Sequence, residues 1–429
     1  MRRITAPSVS GITGVTDSRQ ASQRLLGRNI LVLGHRWVGL FLAAFLFVSG
    51  LTGAIISWDH ELDEWLNPQL FEAKDIGGAT QSPLALANQL EAADPRLLVT
   101  WVPLEIEAGQ NLGLAVKPRI DAATQKAFDL DFNQIFLDPV DGEIRGKRMW
   151  GDISLSRENL LPFLYKLHFS MHIPDAFGVE LGILFMGTLA IVWALDCFIA
   201  LWISFPRSNA WTKSFAFRWR QGGARLNFDL HRSGGVWIWG FLLILAVTAV
   251  SMNLNQQVMR PLVSLFSTLT PSPFTRTPNP PDQPIEPLVD RRTVLQSAII
   301  EAGKRGWSTS PGGIFYDTEV GVYGVIFFEP GNEHGDGGLG NPSLYFDGKD
   351  GSPAGAKVPG EGSAGDIFMQ AQFPLHSGRI LGFPGRIFVS AMGLLVATLS
   401  VTGVIIWQKK RLARRKVLTK TERYETEAI

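Results

Sequence analysis

The chain alternates between long apolar runs and longer polar segments. Apolar side chains predominate over residues 37–57, 179–205, 236–252 and 387–407. An α-helix of about 20 apolar residues crosses a bilayer core about 30 Å thick, and the four runs are of that order. The pattern therefore predicts an α-helical membrane protein with four transmembrane helices.

The polar segments that follow the first and third runs share one plan. In the first segment, a helical stretch at 82–93 precedes β-like stretches at 97–102, 112–116 and 133–137. In the second, a helical stretch at 292–306 precedes β-like stretches at 313–316, 322–328 and from 343 onward. Extended runs bounded by Gly, Pro and Asp are typical of strands, so each segment is predicted to form a small α+β module. The order of span, module and span occurs twice, which predicts a tandem parallel repeat.

Charge is strongly partitioned along the chain. Hydrophobic residues make up 46% of the sequence and the net charge is only +1. Residues 1–36, 206–232 and 408–429 are rich in Lys and Arg, whereas residues 58–180 hold 20 acidic and 10 basic residues. Because basic loops stay on the cytoplasmic side of a membrane, we expect cytoplasmic termini and modules outside. The expected surroundings are membrane lipid, with no nucleic-acid partner.

These signals predict the domain organisation. The segment 1–36 is expected to be cytoplasmic, and its first 27 residues, which are polar and lack periodicity, to be disordered. The rest is divided into the first transmembrane helix (37–58), the first module (59–167), an outer histidine segment with the second helix (168–205), a cytoplasmic loop (206–230), the third helix (231–254), the second module (255–375), an outer histidine segment with the fourth helix (376–408) and a cytoplasmic tail (409–429).

Histidines recur at matching places in the two halves. His35 opens the first apolar run and His231 opens the third, each followed at once by an arginine and four residues later by a glycine. His168 and His376 form a looser match before the second and fourth runs. Repeated histidines at one depth of spanning helices are what a haem needs in order to be bound from both faces.

The cysteine content restricts the kind of haem site. Cys197 is the only cysteine, which excludes a disulfide framework, a thiolate cluster and covalent haem attachment through paired cysteines. Any haem must therefore be held by coordination alone. His35 and His231 at the cytoplasmic edge could bind one iron, and at the outer edge His376 could do so with His168 or His172. Two imidazoles fill both axial positions, so the expected chemistry is one-electron transfer.

Several other polar residues are candidate haem-binding residues, and each also has a second interpretation. His172 could replace His168, because residues four apart share a helix face. Four arginines could pair with haem propionates, with simple membrane anchoring as the alternative for the first two: Arg36, Arg232, Arg379 and Arg386.

Three further residues have less specific interpretations. Asp196 lies deep in the second run, where a carboxylate is costly, so it is predicted to have a proton-coupled or structural role or a hydrogen bond to a neighbouring helix. His60 and His334 are interpreted as solvated loop residues, and a weak surface metal contact is left open at His334.

The order of these motifs resembles one known family. The two His-Arg pairs, the turn Asp138-Pro139-x-x-Gly142-Glu143, the element Leu66-Asn67-Pro68 and the Leu-His pairs before the second and fourth runs are together similar to the PepSY-associated transmembrane family. The resemblance covers roughly residues 28–415. It implies PepSY-like periplasmic modules, a bacterial inner-membrane location and two b-type haems at the four matched histidines.

The resemblance also implies an activity. Better-understood members of the family reduce ferric siderophores on the periplasmic side, so the chain is expected to be a haem-dependent ferric-chelate reductase that releases iron(II) for iron uptake. A cytoplasmic partner would donate the electrons. Two alternatives stay open, namely a cytochrome subunit that feeds a separate periplasmic enzyme, and a haem-free PepSY regulatory or interaction protein.

Overall fold

The computed structural model of the chain describes residues 13–74, 77–205, 208–280 and 282–427. The chain divides into two compact units. The helical unit consists of the chain up to Val48, Ile191–Ala246 and the chain from Leu395 onward. The sheet unit consists of Ser49–Ala190 and Val247–Leu394 and contains every strand of the described residues.

The α-helices and strands have the following bounds. The helices are α1 (Thr13–Ile56), α2 (Asp59–Leu66), α3 (Pro68–Phe71), α4 (Pro83–Ala93), α5 (Leu160–Ser170), α6 (Leu181–Ser204), α7 (Gly223–Trp237), α8 (Trp239–Asn253), α9 (Arg260–Ser264), α10 (Arg291–Lys304), α11 (Ala364–Ser377) and α12 (Phe383–Glu427). The strands are β1 (Leu97–Pro103), β2 (Leu112–Pro118), β3 (Gln134–Leu137), β4 (Ile144–Arg148), β5 (Pro311–Asp317), β6 (Val322–Phe327), β7 (Ser343–Asp347) and β8 (Pro353–Lys357).

Three helices of the described chain are long and apolar enough to cross a membrane: Gly27–Ile56 in α1, Leu181–Ser204 (α6) and Phe383–Lys416 in α12. Large apolar side chains on these helices are exposed, as is typical of surfaces that face lipid; Trp37, Leu195 and Trp202 are 58%, 61% and 70% exposed. The chain therefore has the helices of a membrane protein, with an antiparallel sheet region between them.

The predicted third span differs from the other three. α7 and α8 qualify as one span only together, and they are bent by 69° at Ile238. The sequence Ser233-Gly234-Gly235 lies just before the bend and Gly240 just after it. Glycine stabilises a helix least among non-proline residues, and Gly/Ser pairs are common places for sharp kinks. The prediction of four spans is therefore confirmed for three, and the third predicted span qualifies only if the bent pair is one span.

The N-terminal segment is also more ordered than its composition suggests. α1 begins at Thr13, so the prediction of disorder is wrong for residues 13–27, while residues 1–12 lie outside the described part. α1 also begins well before the predicted first span, so His35 lies within a continuous helix and not at a helix start. The segment boundaries and the side of the membrane stay predictions.

Strands from both predicted modules form one antiparallel sheet. Its order is β4-β3-β2-β1-β5-β6-β7-β8, so the two sets of four strands meet where β1 pairs with β5. Trp101 lies opposite Phe315 and Val102 opposite Ile314 in this pairing. Each four-stranded set alone would expose an edge strand with unpaired backbone groups, and the pairing removes both edges.

A single hydrophobic core confirms that the two sets of strands are joined. The buried cluster includes Leu98 and Ile135 from the first set and Ile314 and Tyr323 from the second, together with residues of α4 and α10. The expectation of two separate α+β modules therefore needs modification, because they share one sheet and one core.

The extended stretches read from the sequence agree with β1, β2, β3, β5, β6 and β7 to within a few residues. β8 was not expected, because Pro353-Ala354-Gly355-Ala356 has the composition of a loop. It is an edge strand, and within the part of the chain that the structure describes it pairs only with β7. The separate helices α5 and α11, which carry His168 and His376, were also not expected.

Buried ion pairs stabilise the turn that follows β3. Asp138 is fully buried and accepts hydrogen bonds from Arg145 at 2.7 Å and from the backbone N–H of Val140 at 3.0 Å. Burial alone would raise the pKa of Asp138, but these hydrogen bonds outweigh it and lower the pKa below its ordinary value. A carboxylate removed from water needs such partners, so the turn depends on this pair.

Candidate functional site

The helical unit brings two histidines face to face. His35 of α1 and His231 of α7 have ring centroids 6.2 Å apart, with their planes inclined at 42°. They are 196 positions apart in the sequence, and both belong to the His-Arg pairs that recur in the two halves. We refer to them as the first histidine pair.

Each ring of the first pair is held through its Nδ1 atom. Nδ1 of His35 donates to the carboxylate of Asp196 on α6, at 3.0 and 2.9 Å from the two oxygens. Nδ1 of His231 donates to the carbonyl oxygen of Leu399 on α12 at 3.0 Å and lies 3.3 Å from Oγ1 of Thr402. The hydrogen bond of Asp196 to a neighbouring helix is thus the one observed among the alternatives for that residue.

The sheet unit contains a second histidine pair with the same construction. His168 of α5 and His376 of α11 have ring centroids 6.1 Å apart. Nδ1 of His168 donates to the carbonyl oxygen of Ser49 at 3.0 Å and lies 3.1 Å from Oγ1 of Thr52. Nδ1 of His376 lies 2.9 Å from Oγ1 of Thr248.

Burial keeps the rings of the second pair uncharged. It lowers the pKa of His168 to about 4, and burial together with the neighbouring His168 lowers the pKa of His376 to about 4. Both imidazoles are therefore neutral near pH 7, which is the form that binds a metal.

The geometry of both pairs fits a metal between the rings. In all four histidines Nδ1 makes the hydrogen bonds, so Nε2 is the atom left for coordination, as is usual for metal-binding histidines. A metal–imidazole bond is about 2 Å long and the ring centroid lies roughly 1 Å behind the nitrogen, so two rings on one metal have centroids about 6 Å apart. The observed separations of 6.2 and 6.1 Å match this value.

Two glycines let backbone approach the imidazole rings. A Cβ atom on Gly403 would lie 2.9 Å from Cε1 of His231, and one on Gly53 would lie 2.8 Å from Cε1 of His168. Both glycines follow a threonine that contacts the same ring, so the sequence Thr-Gly supports one histidine in each pair. Any side chain larger than hydrogen would displace the ring.

A cavity of about 420 Å³ opens beside the first pair. Its wall is mainly apolar and includes both histidines, Leu42 and Trp239, and its size lies within the usual range for cofactor sites. Arg36 and Arg232 also line it. Nε of Arg232 is buried and has no hydrogen-bond partner among the described residues, so this donor is available to an anionic group in the cavity.

One comparison with known proteins identifies the family. The model of the PepSY-associated TM region matches residues 33–410. The chain belongs to this family. The match includes all four histidines of the two pairs and the whole sheet. No curated protein matches the sequence.

In this family member, the arginines predicted to lie outside are already engaged by protein groups. Arg379 pairs with Asp336 at 2.8 Å. Arg386 is 7% exposed, donates to the carbonyl oxygen of Ser57 and pairs with Glu61 at 2.7 Å. These contacts account for both residues, and a contact with a propionate stays a prediction.

His172 does not share a helix face with His168. α5 ends at Ser170, and Met171 and His172 have positive φ angles of 54° and 53°. The ring of His172 turns back to stack on Phe163 and bonds the carbonyl oxygen of that residue at 2.9 Å. The expectation of a shared face is therefore wrong, and His168 is the residue that meets His376.

The sequence repeats two threonines, but their contacts could not be predicted from it. Thr52 and Thr248 each follow a histidine of the first pair by 17 residues, yet they contact the second pair, Thr52 at His168 and Thr248 at His376. Thr402 was missed, although the sequence Thr402-Gly403 repeats Thr52-Gly53. His60 is on helix α2 and not in a loop; it is 61% exposed and pairs with Glu64 at 3.4 Å.

Proposed function

We propose that the chain is a transmembrane di-haem b-type electron-transfer protein that reduces ferric siderophores on the outer face of a bacterial inner membrane and so releases iron(II). The observation that carries this proposal is the pair of facing imidazoles in each unit, with Nδ1 bonded and Nε2 left for a metal. The two histidines of each pair would hold a haem, and the haem would supply one-electron transfer.

The protein's own residues would orient and retain the cofactor. The carbonyl and hydroxyl oxygens on Nδ1 of His231 and His168 fix the tautomer in which Nε2 is unprotonated, and Asp196 does the same for His35. Arg232 and Arg36 would pair with propionates in the cavity of the helical unit. A cytoplasmic donor would supply the electrons, and a ferric chelate would receive them.

Haem content tests the proposal directly. The purified protein should give a reduced-minus-oxidised spectrum of b-type haem, and a pyridine haemochrome assay should count two haems per chain. His35→Leu or His231→Leu should each leave one haem, and so should His168→Leu or His376→Leu. His172→Leu is the matched control, since this ring lies outside both pairs, and it should retain two.

Reoxidation tests the substrate. Adding ferric siderophore to the dithionite-reduced protein should reoxidise the haem bands and yield iron(II), trapped by a ferrous chelator. Colourless protein would refute the proposal and favour a haem-free PepSY protein. Two haems without reoxidation by any ferric chelate would instead favour a cytochrome subunit that serves another enzyme.

A further inference from the structure

A second cavity lies in the sheet unit. It has a volume of about 300 Å³ and is bounded by the sheet at Trp101 and Leu114, by α2 at Asp59 and by the loop at Glu333 and His334. This volume is at the lower end of the range for small-molecule sites. None of these residues belongs to either histidine pair.

Helical connections link the wall of this cavity to the second histidine pair. Tyr165 lines the cavity and lies three residues before His168 on α5, so the two side chains are neighbours one turn apart. His334 lines the cavity and stacks on Phe373, with centroids 6.3 Å apart, and Phe373 lies three residues before His376 on α11. A molecule in the cavity would therefore lie about one helical turn from His168, and one ring stack and one helical turn from His376.

Acidic side chains dominate the charge of the cavity wall. Six carboxylates line it, and Arg148 is the one Lys or Arg among the lining residues. Asp63 is neutralised by Arg148 at 2.7 Å and Glu64 pairs with His60 at 3.4 Å. The other four have no ion pair within 4.0 Å among the described residues: Asp59, Glu105, Glu107 and Glu333.

The electrostatics of these carboxyls favour a positively charged occupant. Burial raises the pKa of Asp59 and of Glu333 above their ordinary values, although Arg379 and His60 respectively oppose the shift. A cation in the cavity would stabilise both ionised carboxylates. Oδ1 of Asn111, in the wall and 9% exposed, is a further acceptor without a hydrogen-bond partner in the described part of the chain.

The remaining lining suits an organic complex more than a bare ion. Aromatic side chains contribute much of the wall, among them Phe71, Trp101, Trp150 and Tyr165. Among the described residues, no group of three or more His, Cys, Asp or Glu side chains is placed to hold a metal ion directly. Aromatic faces attract cations and provide apolar contact area, which an organic chelator uses and a hydrated ion does not.

We propose that this cavity binds the complex that accepts electrons from the second histidine pair, and that it selects ferric chelates of positive overall charge over anionic ones. The inference rests on the proposed function for the role of the bound complex. Binding of the complex and the preference for positive charge are properties of the cavity itself. Both can be measured without any electron transfer.

The experiment uses the full chain in detergent micelles and redox-inert gallium(III) complexes. The probes are one linear trihydroxamate in three forms: with a free ammonium group (+1), N-acetylated (0) and N-succinylated (−1). Quenching of tryptophan fluorescence reports binding, because Trp101 and Trp150 line the cavity. We expect affinity to fall in the order cationic, neutral, anionic, and the difference to shrink as salt is added.

Carboxylate variants test the location. Glu107→Gln and Glu333→Gln should each weaken binding of the cationic complex by about threefold, as expected for removal of one charge near the ligand in a wet site, and leave the neutral complex almost unchanged. Glu361→Gln is the matched control, because Glu361 is exposed in the same unit and does not line the cavity.

The outcomes separate this inference from the proposed function. Equal affinity for the three complexes, no binding, or an affinity for the cationic complex that is unchanged in both variants would overturn the inference. Charge-selective binding of the gallium complexes, with the cationic complex bound about threefold more weakly in each of the two variants, would support the inference. If the matching iron complexes then failed to reoxidise the reduced haem bands, the reductase function would fail and the binding site would stand.

Discussion

Replacing Gly53 with alanine tests the close packing behind His168. The new Cβ would lie 2.8 Å from Cε1 and 3.3 Å from Nδ1 of the ring. Ordinary carbon–carbon contacts are about 3.5–4.0 Å, so the ring would have to withdraw by roughly 0.7 Å or more. That shift would lengthen its 3.0 Å hydrogen bond to Ser49 beyond the useful range.

Two effects of opposite sign compete in this substitution. Alanine in place of glycine inside a helix stabilises it by about 1 kcal/mol. Overpacking typically costs about 1–3 kcal/mol, and loss of the hydrogen bond that orients the ring adds about 0.5–1.5 kcal/mol. The destabilising effects are larger. Since 1.4 kcal/mol is a factor of ten in affinity, haem bound by the second pair should be held roughly tenfold more weakly.

Haem counting distinguishes the outcomes. Gly53→Ala should lose most of one haem during purification, as measured by pyridine haemochrome, whereas the first pair keeps its own. Gly403→Ala should instead lose most of the haem of the first pair, because its Cβ would lie 2.9 Å from Cε1 of His231. Gly34→Ala is the control, since a Cβ there would meet no atom within 4 Å and Gly34 does not line the cavity of the first pair. Two tightly held haems in Gly53→Ala would refute the reasoning.

Three further substitutions have defined outcomes. Asp196→Asn removes the negative charge from Nδ1 of His35, so one of two midpoint potentials in a redox titration should rise; no change in either would contradict a tuning role. Asp138→Ala removes the buried partner of Arg145, which keeps its ion pair with Glu143, so the substitution should cost about 1–3 kcal/mol of the free energy of unfolding, as measured by thermal denaturation. Because the pKa of Asp138 is lowered in the folded chain, its contribution is present above the unfolded value near 4 and lost below it, so the stability deficit of Asp138→Ala should shrink toward pH 3. Arg232→Gln should weaken retention of one haem without unfolding the chain, and retention equal to wild type would argue against the propionate contact.

Local patterns in the sequence were sufficient to predict most elements of the fold. The apolar runs predicted three spans correctly, because a helix must have about 20 apolar residues to cross the bilayer core. Extended runs bounded by Gly, Pro and Asp predicted β1, β2, β3, β5, β6 and β7, because these residues supply the turns between strands. The pairing of β1 with β5 could not be predicted, because Trp101 and Phe315 are far apart in sequence and only the folded sheet brings them together.

The histidines of the candidate site could be predicted from the sequence, whereas the groups that hold their rings could not. His35, His231, His168 and His376 could be recognised because duplication repeats their context. The partners of Nδ1 are a carboxylate, backbone carbonyls and threonine hydroxyls on other helices, which have no common sequence signal. His172 was a plausible rival only while α5 was assumed to continue beyond Ser170.

The four imidazoles differ in the groups that hold Nδ1. His231 and His168 each have a backbone carbonyl and a threonine there, and His376 has a threonine. His231, His168 and His376 have neutral partners at Nδ1, whereas His35 has the carboxylate of Asp196. A carboxylate on Nδ1 makes the imidazole a stronger donor and so favours the oxidised metal at Nε2. The first pair should therefore hold the more reducing of two cofactors, and electrons would pass downhill from the first pair to the second. A tandem repeat with identical supports would have no such preferred direction.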